Sequence, residues 1–76
     1  MERAIVLVNL SPGTEGASIA SLKKTPGIAE VYQTYGIYDL LVIVEGNDEQ
    51  TVKSVITEKL RANPGVVSTM TMKVVS

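Results

Sequence analysis

The sequence predicts a single α+β domain whose elements follow the order βαββαβ. The segment Leu22–Ile28 (LKKTPGI) recurs in altered form as Leu60–Val66 (LRANPGV), so a helix end, a Pro-Gly pair and a strand start occur once in each half. Apolar, β-branched runs precede each helix and follow each Pro-Gly pair. With 76 residues, the chain has room for one domain only, covering 1–76.

Two copies of a strand–helix–strand unit are too few for a solenoid, which needs about three or more repeats. They fit a ferredoxin-like arrangement, in which two helices lie on one face of a four-stranded antiparallel sheet.

The first half of the chain predicts a strand and a short helix. The nearly continuous apolar run Arg3–Leu10 indicates a strand buried on both faces. Ser11 or Thr14 is a candidate cap for the helix that follows, and Pro26-Gly27 ends it. The helix is expected to place four residues on its apolar face and four opposite: Ala17, Ile19, Ala20 and Leu22 against Ser18, Ser21, Lys23 and Lys24.

The middle of the chain predicts a hairpin. Alternation over Ile28–Tyr35 indicates a partly exposed second strand, and a bend at Gly36 joins it to a third strand over Asp39–Glu45.

The second half repeats the helix and ends in a strand. Asn47 or Asp48 is expected to cap a helix that runs to about Ala62, with a Glu49–Lys53 pair on its solvent face. Its core stripe is predicted at helical spacing: Val52, Val55, Ile56 and Leu60. The last strand is predicted over Val66–Val75.

Helices on one face of such a sheet leave the other face open, although the strands are apolar on both sides. A large exposed apolar patch marks an interface. A two-fold dimer that packs sheet against sheet is therefore the expected assembly.

Composition excludes several classes of function. A formal net charge of −1 disfavours independent DNA binding, and the absence of Cys and His removes the disulfide, thiolate and imidazole routes to catalysis or metal binding. No apolar run reaches the roughly 18 residues of a membrane span, so a cytoplasmic protein is expected. We predict no catalytic residues, no metal site and no cofactor; a small enzyme remains the least favoured class.

Two glycine-bearing segments are candidate binding loops. Asn9–Gly16 leads into a helix N-terminus, where an anion could bind, but it lacks the P-loop lysine. The other is the bend with Gly36, Tyr38 and Asp39, where a small zwitterion could bind. Thr69 and Thr71 alternate with Met70 and Met72 and could form a polar wall beside that bend, or simply belong to a half-buried strand. Asp39 could equally be a turn residue that bonds backbone groups.

Two motifs resemble the Lrp/AsnC family of transcription regulators. Residues 36–42 (GIYDLLV) match the G-x-[YF]-D segment of its effector-binding (RAM) domain, and residues 64–71 (PGVVSTMT) match its PGV-x-x-T-x-T ending. The resemblance covers nearly the whole chain.

The resemblance implies sheet-to-sheet dimers, rings that are commonly octamers, and amino-acid effectors bound between dimers. It places the ligand-binding residues at Gly36, Tyr38, Asp39, Thr69 and Thr71, with Tyr35 and Ile37 as neighbours of lower weight. In this hypothesis Asp39 or a backbone carbonyl receives the ammonium group, while N–H groups of the bend and a threonine hydroxyl receive the carboxylate.

Usual members of the family also carry an N-terminal helix-turn-helix domain, whereas this chain begins at the effector domain. Direct DNA binding is therefore not expected, and co-assembly with a full-length relative is a possible mode of action. Two alternatives stay open. One is a pure interaction domain that joins full-length regulators, and the other is an ACT-like amino-acid sensor that uses Asn9–Gly16 instead of the Gly36 bend.

Overall fold

The computed structural model describes residues 1–75, and these residues form the predicted βαββαβ order. The elements are β1 (Glu2–Leu10), α1 (Glu15–Lys23), β2 (Ile28–Gln33), β3 (Leu40–Gly46), α2 (Glu49–Val55, continued by a π-helical turn over Ile56–Leu60) and β4 (Val66–Lys73). The four strands form one antiparallel sheet in the order β2-β3-β1-β4. The predicted ferredoxin-like fold is confirmed.

The core lies between one face of the sheet and the helices. Every second residue of β1, from Ala4 to Leu10, is buried, and the residues between them are half-buried. In β3 the buried set again alternates, from Leu40 to Val44. The helices contribute the remaining core side chains: Leu22, Val52, Val55, Ile56 and Leu60. Both helices therefore cover one face, and the predicted stripe of α2 is confirmed.

The opposite face of the sheet is apolar at its centre. The register places Ile5 and Leu7 of β1 beside Ile43 and Leu41 of β3. On the outer strands, Tyr32, Met70 and Met72 lie on the same face, and these three side chains are 44–51% exposed. We call these seven residues the open face. An ion pair between Arg3 and Glu45 borders it at one end, with Nε and Oε2 2.9 Å apart.

The predicted apolar face of α1 was wrong in part. Ser18 is buried, whereas Ala17 and Ala20 are exposed. The Ser18 hydroxyl donates to Asn63 Oδ1 at 3.2 Å, and this bond satisfies a polar group that would otherwise be costly to bury. Thr14 occupies the cap position, but its hydroxyl donates to the Ser11 carbonyl at 2.7 Å and caps no helix N–H group.

At the start of α2 the predicted cap is confirmed, but the ion pair differs from the prediction. Asp48 caps the helix by accepting from the Thr51 backbone N–H at 2.8 Å, and this bond lowers the pKa of Asp48. Glu49 pairs with Lys73 of β4, not chiefly with Lys53. The hydrogen bond between them lowers the pKa of Glu49 and raises the pKa of Lys73.

The internal repeat is visible in the hydrogen bonds of the two Pro-Gly segments. Ile28 N–H donates to Thr25 in the first half, as Val66 N–H donates to Asn63 in the second. The glycine of each segment contacts the helix of the other half. A Cβ at Gly27 would lie 2.6 Å from a methyl of Val55, and one at Gly65 would collide with Ser18 Oγ.

The second and last strands are shorter than predicted. β2 ends at Gln33, because Thr34 closes the following loop through its N–H and its hydroxyl. β4 ends at Lys73. Within residues 1–75, no helix is long and apolar enough to cross a membrane.

Candidate functional site

The loop over residues 34–39 joins β2 to β3, and we call it the effector loop after the role that the sequence predicts for its residues. Two bonds close it at its base: Thr34 N–H donates to the Asp39 carbonyl at 2.9 Å, and the Thr34 hydroxyl donates to the Tyr38 carbonyl at 2.7 Å. The predicted bend is therefore a wider loop with a closed base.

The tip of the effector loop projects into solvent. Tyr35 is fully exposed and Ile37 is 85% exposed. Gly36 between them has φ +106°, a conformation that side-chain-bearing residues rarely adopt. Among the described residues, no hydrogen bond uses the backbone N–H groups of residues 35–38. The tip therefore carries several backbone N–H donors that no other described residue accepts from.

Asp39 fixes the base of the loop to the end of β1. Its N–H donates to the Val8 carbonyl at 2.9 Å, and its Oδ2 accepts from the Leu10 N–H at 2.7 Å. The carboxylate is half-buried and bonds the backbone of a distant strand, not its own turn. One negative charge is therefore held at the base of the loop, with one of its oxygens already bonded.

Tyr38 reaches across the end of β1 to β4. Its hydroxyl lies 3.6 Å from Met70 Sδ, which makes Met70 a weak acceptor for it. Met70 pairs with Leu7 and belongs to the open face. The Tyr38 hydroxyl therefore lies on the side of the sheet that the helices do not cover.

The two threonines lie on the other side of the sheet. Thr69 pairs with Val8 and Thr71 with Val6, two residues whose side chains face the helices. The predicted alternation of hydroxyls and methionines on β4 is confirmed by this register. Within one subunit, the sheet separates the threonine hydroxyls from the Tyr38 hydroxyl, so the structure brings together Tyr38, Asp39 and the loop tip but not Thr69 and Thr71.

The loop after β1 is the second candidate. Gly13 has φ +85° with open space around it, and Ser11 N–H donates to the Gly65 carbonyl at 2.8 Å. This contact joins the start of the loop after β1 to the residue before β4. Across residues 1–75, no three acidic side chains lie close enough together to hold a metal ion.

The sequence did not predict the contacts that three groups make with the effector loop: Thr34, the Leu10 N–H and Met70. Thr34 could have been noticed, because a threonine near a glycine bend is a common partner for turn carbonyls. The other two lie 29 and 32 residues from their loop partners, and no local pattern reports such pairs.

Comparison with known families identifies the domain. A model of the Lrp/AsnC ligand binding domain matches residues 3–76. The chain belongs to the Lrp/AsnC family. The resemblance drawn from the motifs at residues 36–42 and 64–71 is thereby confirmed.

Similar Lrp/AsnC proteins include regulators and solved structures. The HTH-type transcriptional regulator LysM of Saccharolobus solfataricus is 41% identical over 68 residues, which are 88% of this chain and 47% of LysM. The crystal structure of FFRP-DM1 superimposes with a TM-score of 0.93 at 35% identity, covering 99% of this chain and 100% of that one. A transcriptional regulator from Neisseria meningitidis, solved as an L-Met complex, has a TM-score of 0.85 at 18% identity, covering 99% and 50%. This last likeness concerns the fold alone.

The chain spans about half the length of the curated relatives it matches. Relatives such as LysM are transcriptional regulators. The half of these proteins that matches this chain corresponds to the ligand-binding domain of the family model. The domain is therefore related to transcription regulators of the Lrp/AsnC type.

Proposed function

We propose that this domain is a non-enzymatic, amino-acid-binding regulatory and oligomerisation module, with the effector bound between dimers of a ring. The observation that carries the proposal is the effector loop, whose exposed tip holds N–H groups that bond no other described residue, above a base fixed by Asp39. Neighbouring N–H groups form a good site for a carboxylate. The negative charge of Asp39 suits the ammonium group of the same ligand.

The exposed side chains of the tip fit a site shared between subunits. Leaving either Tyr35 or Ile37 alone in solvent would cost little free energy. The two exposed side chains lie on both sides of Gly36, however, and together they form an apolar rim around it. A ligand covered on one side by this rim needs a second wall to bury most of its surface. A neighbouring dimer supplies that wall in the proposed ring.

The positions of Thr69 and Thr71 support the same arrangement. Both face away from the Tyr38 hydroxyl of their own subunit, so a site that uses this hydroxyl and a threonine hydroxyl together would draw them from different subunits. This agrees with an effector bound between dimers. L-Met in the Neisseria meningitidis regulator makes methionine one reasonable probe within a complete panel of amino acids.

The open face supports the dimer itself. Its centre is apolar, while the Arg3–Glu45 ion pair and the Asn9–Ser68 pair lie at opposite ends of the strands. An apolar centre with a polar border is typical of interfaces between subunits. Two copies that pack face to face would remove these side chains from water.

Two glycine variants test which loop binds the effector. Gly36→Ala and Gly13→Ala are matched, because both glycines have positive φ and neither has an atom within 4 Å of an added Cβ. Calorimetric titration with the twenty amino acids should reveal one effector for the wild type. Gly36→Ala should weaken its binding about tenfold or more, since backbone strain of about 1–3 kcal/mol disturbs the loop.

Gly13→Ala should bind like the wild type. The reverse result, with loss of binding in Gly13→Ala only, would favour an ACT-like sensor that uses residues 9–16. Wild-type protein that binds no amino acid but still assembles would overturn the effector role and favour a pure interaction domain.

A further inference from the structure

One side chain touches both functional elements of the domain. Met70 Sδ lies 3.6 Å from the hydroxyl of Tyr38 in the effector loop. The same residue pairs with Leu7 near the centre of the open face and is 49% exposed in the single chain. No other side-chain hydrogen bond in residues 1–75 links the loop to this face.

A second subunit on the open face would change the surroundings of Met70. Methionine is flexible, with three rotatable bonds, and its position in an exposed patch is weakly fixed. Packing against another apolar face would restrict it to fewer rotamers. Because Tyr38 bonds Met70 at one end and Thr34 at the other, through its own carbonyl, a restricted Met70 also restricts the loop.

We propose that Met70 is a positioning residue that couples assembly through the open face to the order of the effector loop, by way of the Tyr38 hydroxyl. The coupling rests on the proposed function only in taking the open face as the dimer contact. By linkage, a ligand that orders the loop strengthens the dimer by the same factor that the dimer strengthens ligand binding.

Met72 provides a matched control. It lies on the same strand and the same open face, pairs with Ile5, and is 44% exposed, close to the value for Met70. It makes no hydrogen bond to the loop within the described residues. Met70→Leu and Met72→Leu therefore remove the same sulfur from the same face, but only the first removes the contact with Tyr38. Tyr38→Phe removes that contact from the loop side.

The test needs no ligand. The heteronuclear NOE and amide shifts of Gly36 and Ile37 are measured by NMR at protein concentrations above and below the dimer midpoint, which sedimentation fixes for each variant. In the wild type and in Met72→Leu, both signals should change with assembly and the loop should become more ordered. Met70→Leu and Tyr38→Phe should each lose most of this change, and the double variant should lose no more than either single one.

Three results would overturn the coupling: full concentration dependence in Tyr38→Phe, equal loss in Met72→Leu and Met70→Leu, or a wild-type loop that does not respond to assembly. These outcomes are distinct from failure of the proposed function. A loop that responds to assembly in a protein that binds no amino acid would support the coupling and overturn the effector role. Effector binding by a protein whose loop does not respond to assembly would support the effector role and overturn the coupling.

Discussion

The Asp39 carboxylate accepts a hydrogen bond from the backbone N–H of Leu10 at 2.7 Å, and so joins the base of the effector loop to the end of β1. The two residues lie 29 positions apart. Asp39 therefore has a structural role within the single subunit.

Substitution of Asp39 separates its structural role from its proposed ligand role. Asp39→Ala leaves the partly buried Leu10 N–H without its partner and should lower the free energy of unfolding by about 1–3 kcal/mol. Asp39→Asn keeps an acceptor oxygen and should stay closer to the wild type in urea unfolding. If Asp39 also binds an ammonium group, the Asn variant should lose amino-acid affinity despite its stability. An Asn variant that binds normally would limit Asp39 to the structural role.

Gly65 is a position where no side chain fits. A Cβ there would collide with Ser18 Oγ and lie 2.7 Å from Thr14 Oγ1, so Gly65→Ala should destabilise the domain by about 1–3 kcal/mol or more. Gly16→Ala is the control, because it lies in α1 with open space around it and should raise stability by up to about 1 kcal/mol. Thermal unfolding followed by circular dichroism compares them. Equal stabilities for the two variants would contradict the close approach of Gly65 to α1.

A charge in the open face should prevent the proposed dimer. Leu7→Glu places a carboxylate at the centre of that face, and burying it unpaired costs several kcal/mol. The variant should remain folded, since Leu7 faces away from the core, but should sediment as a monomer. Ala20→Glu, on the exposed side of α1, should assemble like the wild type. Leu7→Glu protein that assembles normally would exclude the open face as the contact.

The Glu49–Lys73 pair should make stability depend on pH at both extremes. The pKa of Glu49 is lowered from 4.5 in the folded protein. The contribution of Glu49 to the free energy of unfolding is therefore fully present above pH 4.5 and is lost as the pH falls through the folded pKa. The pKa of Lys73 is raised from 10.5 in the folded protein. The contribution of Lys73 to the free energy of unfolding is therefore fully present below pH 10.5 and is lost as the pH rises through the folded pKa.

Glu49→Gln should reduce both losses, and the effect should shrink in salt because the pair is exposed. Urea unfolding from acid to alkaline pH measures it. Asp48 adds to the acid loss in wild type and variant alike, because its lowered pKa comes from the Thr51 cap bond. A Glu49→Gln profile that overlays the wild-type profile would show that the pair contributes nothing.

The elements of the fold were predictable because local rules dominate their formation. The Pro-Gly segments end both helices, Asp48 caps the second, and the stripe from Val52 to Leu60 is buried as its spacing indicates. The prediction failed where a residue far away in the sequence determines the burial or the partner of a side chain. Ser18 is buried because Asn63 bonds it, and Glu49 turns to Lys73, 24 residues away, instead of to Lys53 nearby.

The loop that holds the candidate site was predictable in position, but its contacts were not. Glycine and aspartate in the spacing of residues 36–39 indicated a loop with a fixed charge, and the loop is present. Its closure by Thr34 and its contact with Met70 depend on the register between strands, which the sequence of either strand alone does not specify. The separation of Thr69 and Thr71 from Tyr38 has the same origin.

Sedimentation velocity of the purified protein, with and without each of the twenty amino acids, tests the proposed function most directly. We expect assemblies of dimers whose size or stability shifts with one particular amino acid. A stable monomer at all concentrations, or an assembly indifferent to every amino acid, would contradict an effector-binding module that acts between dimers.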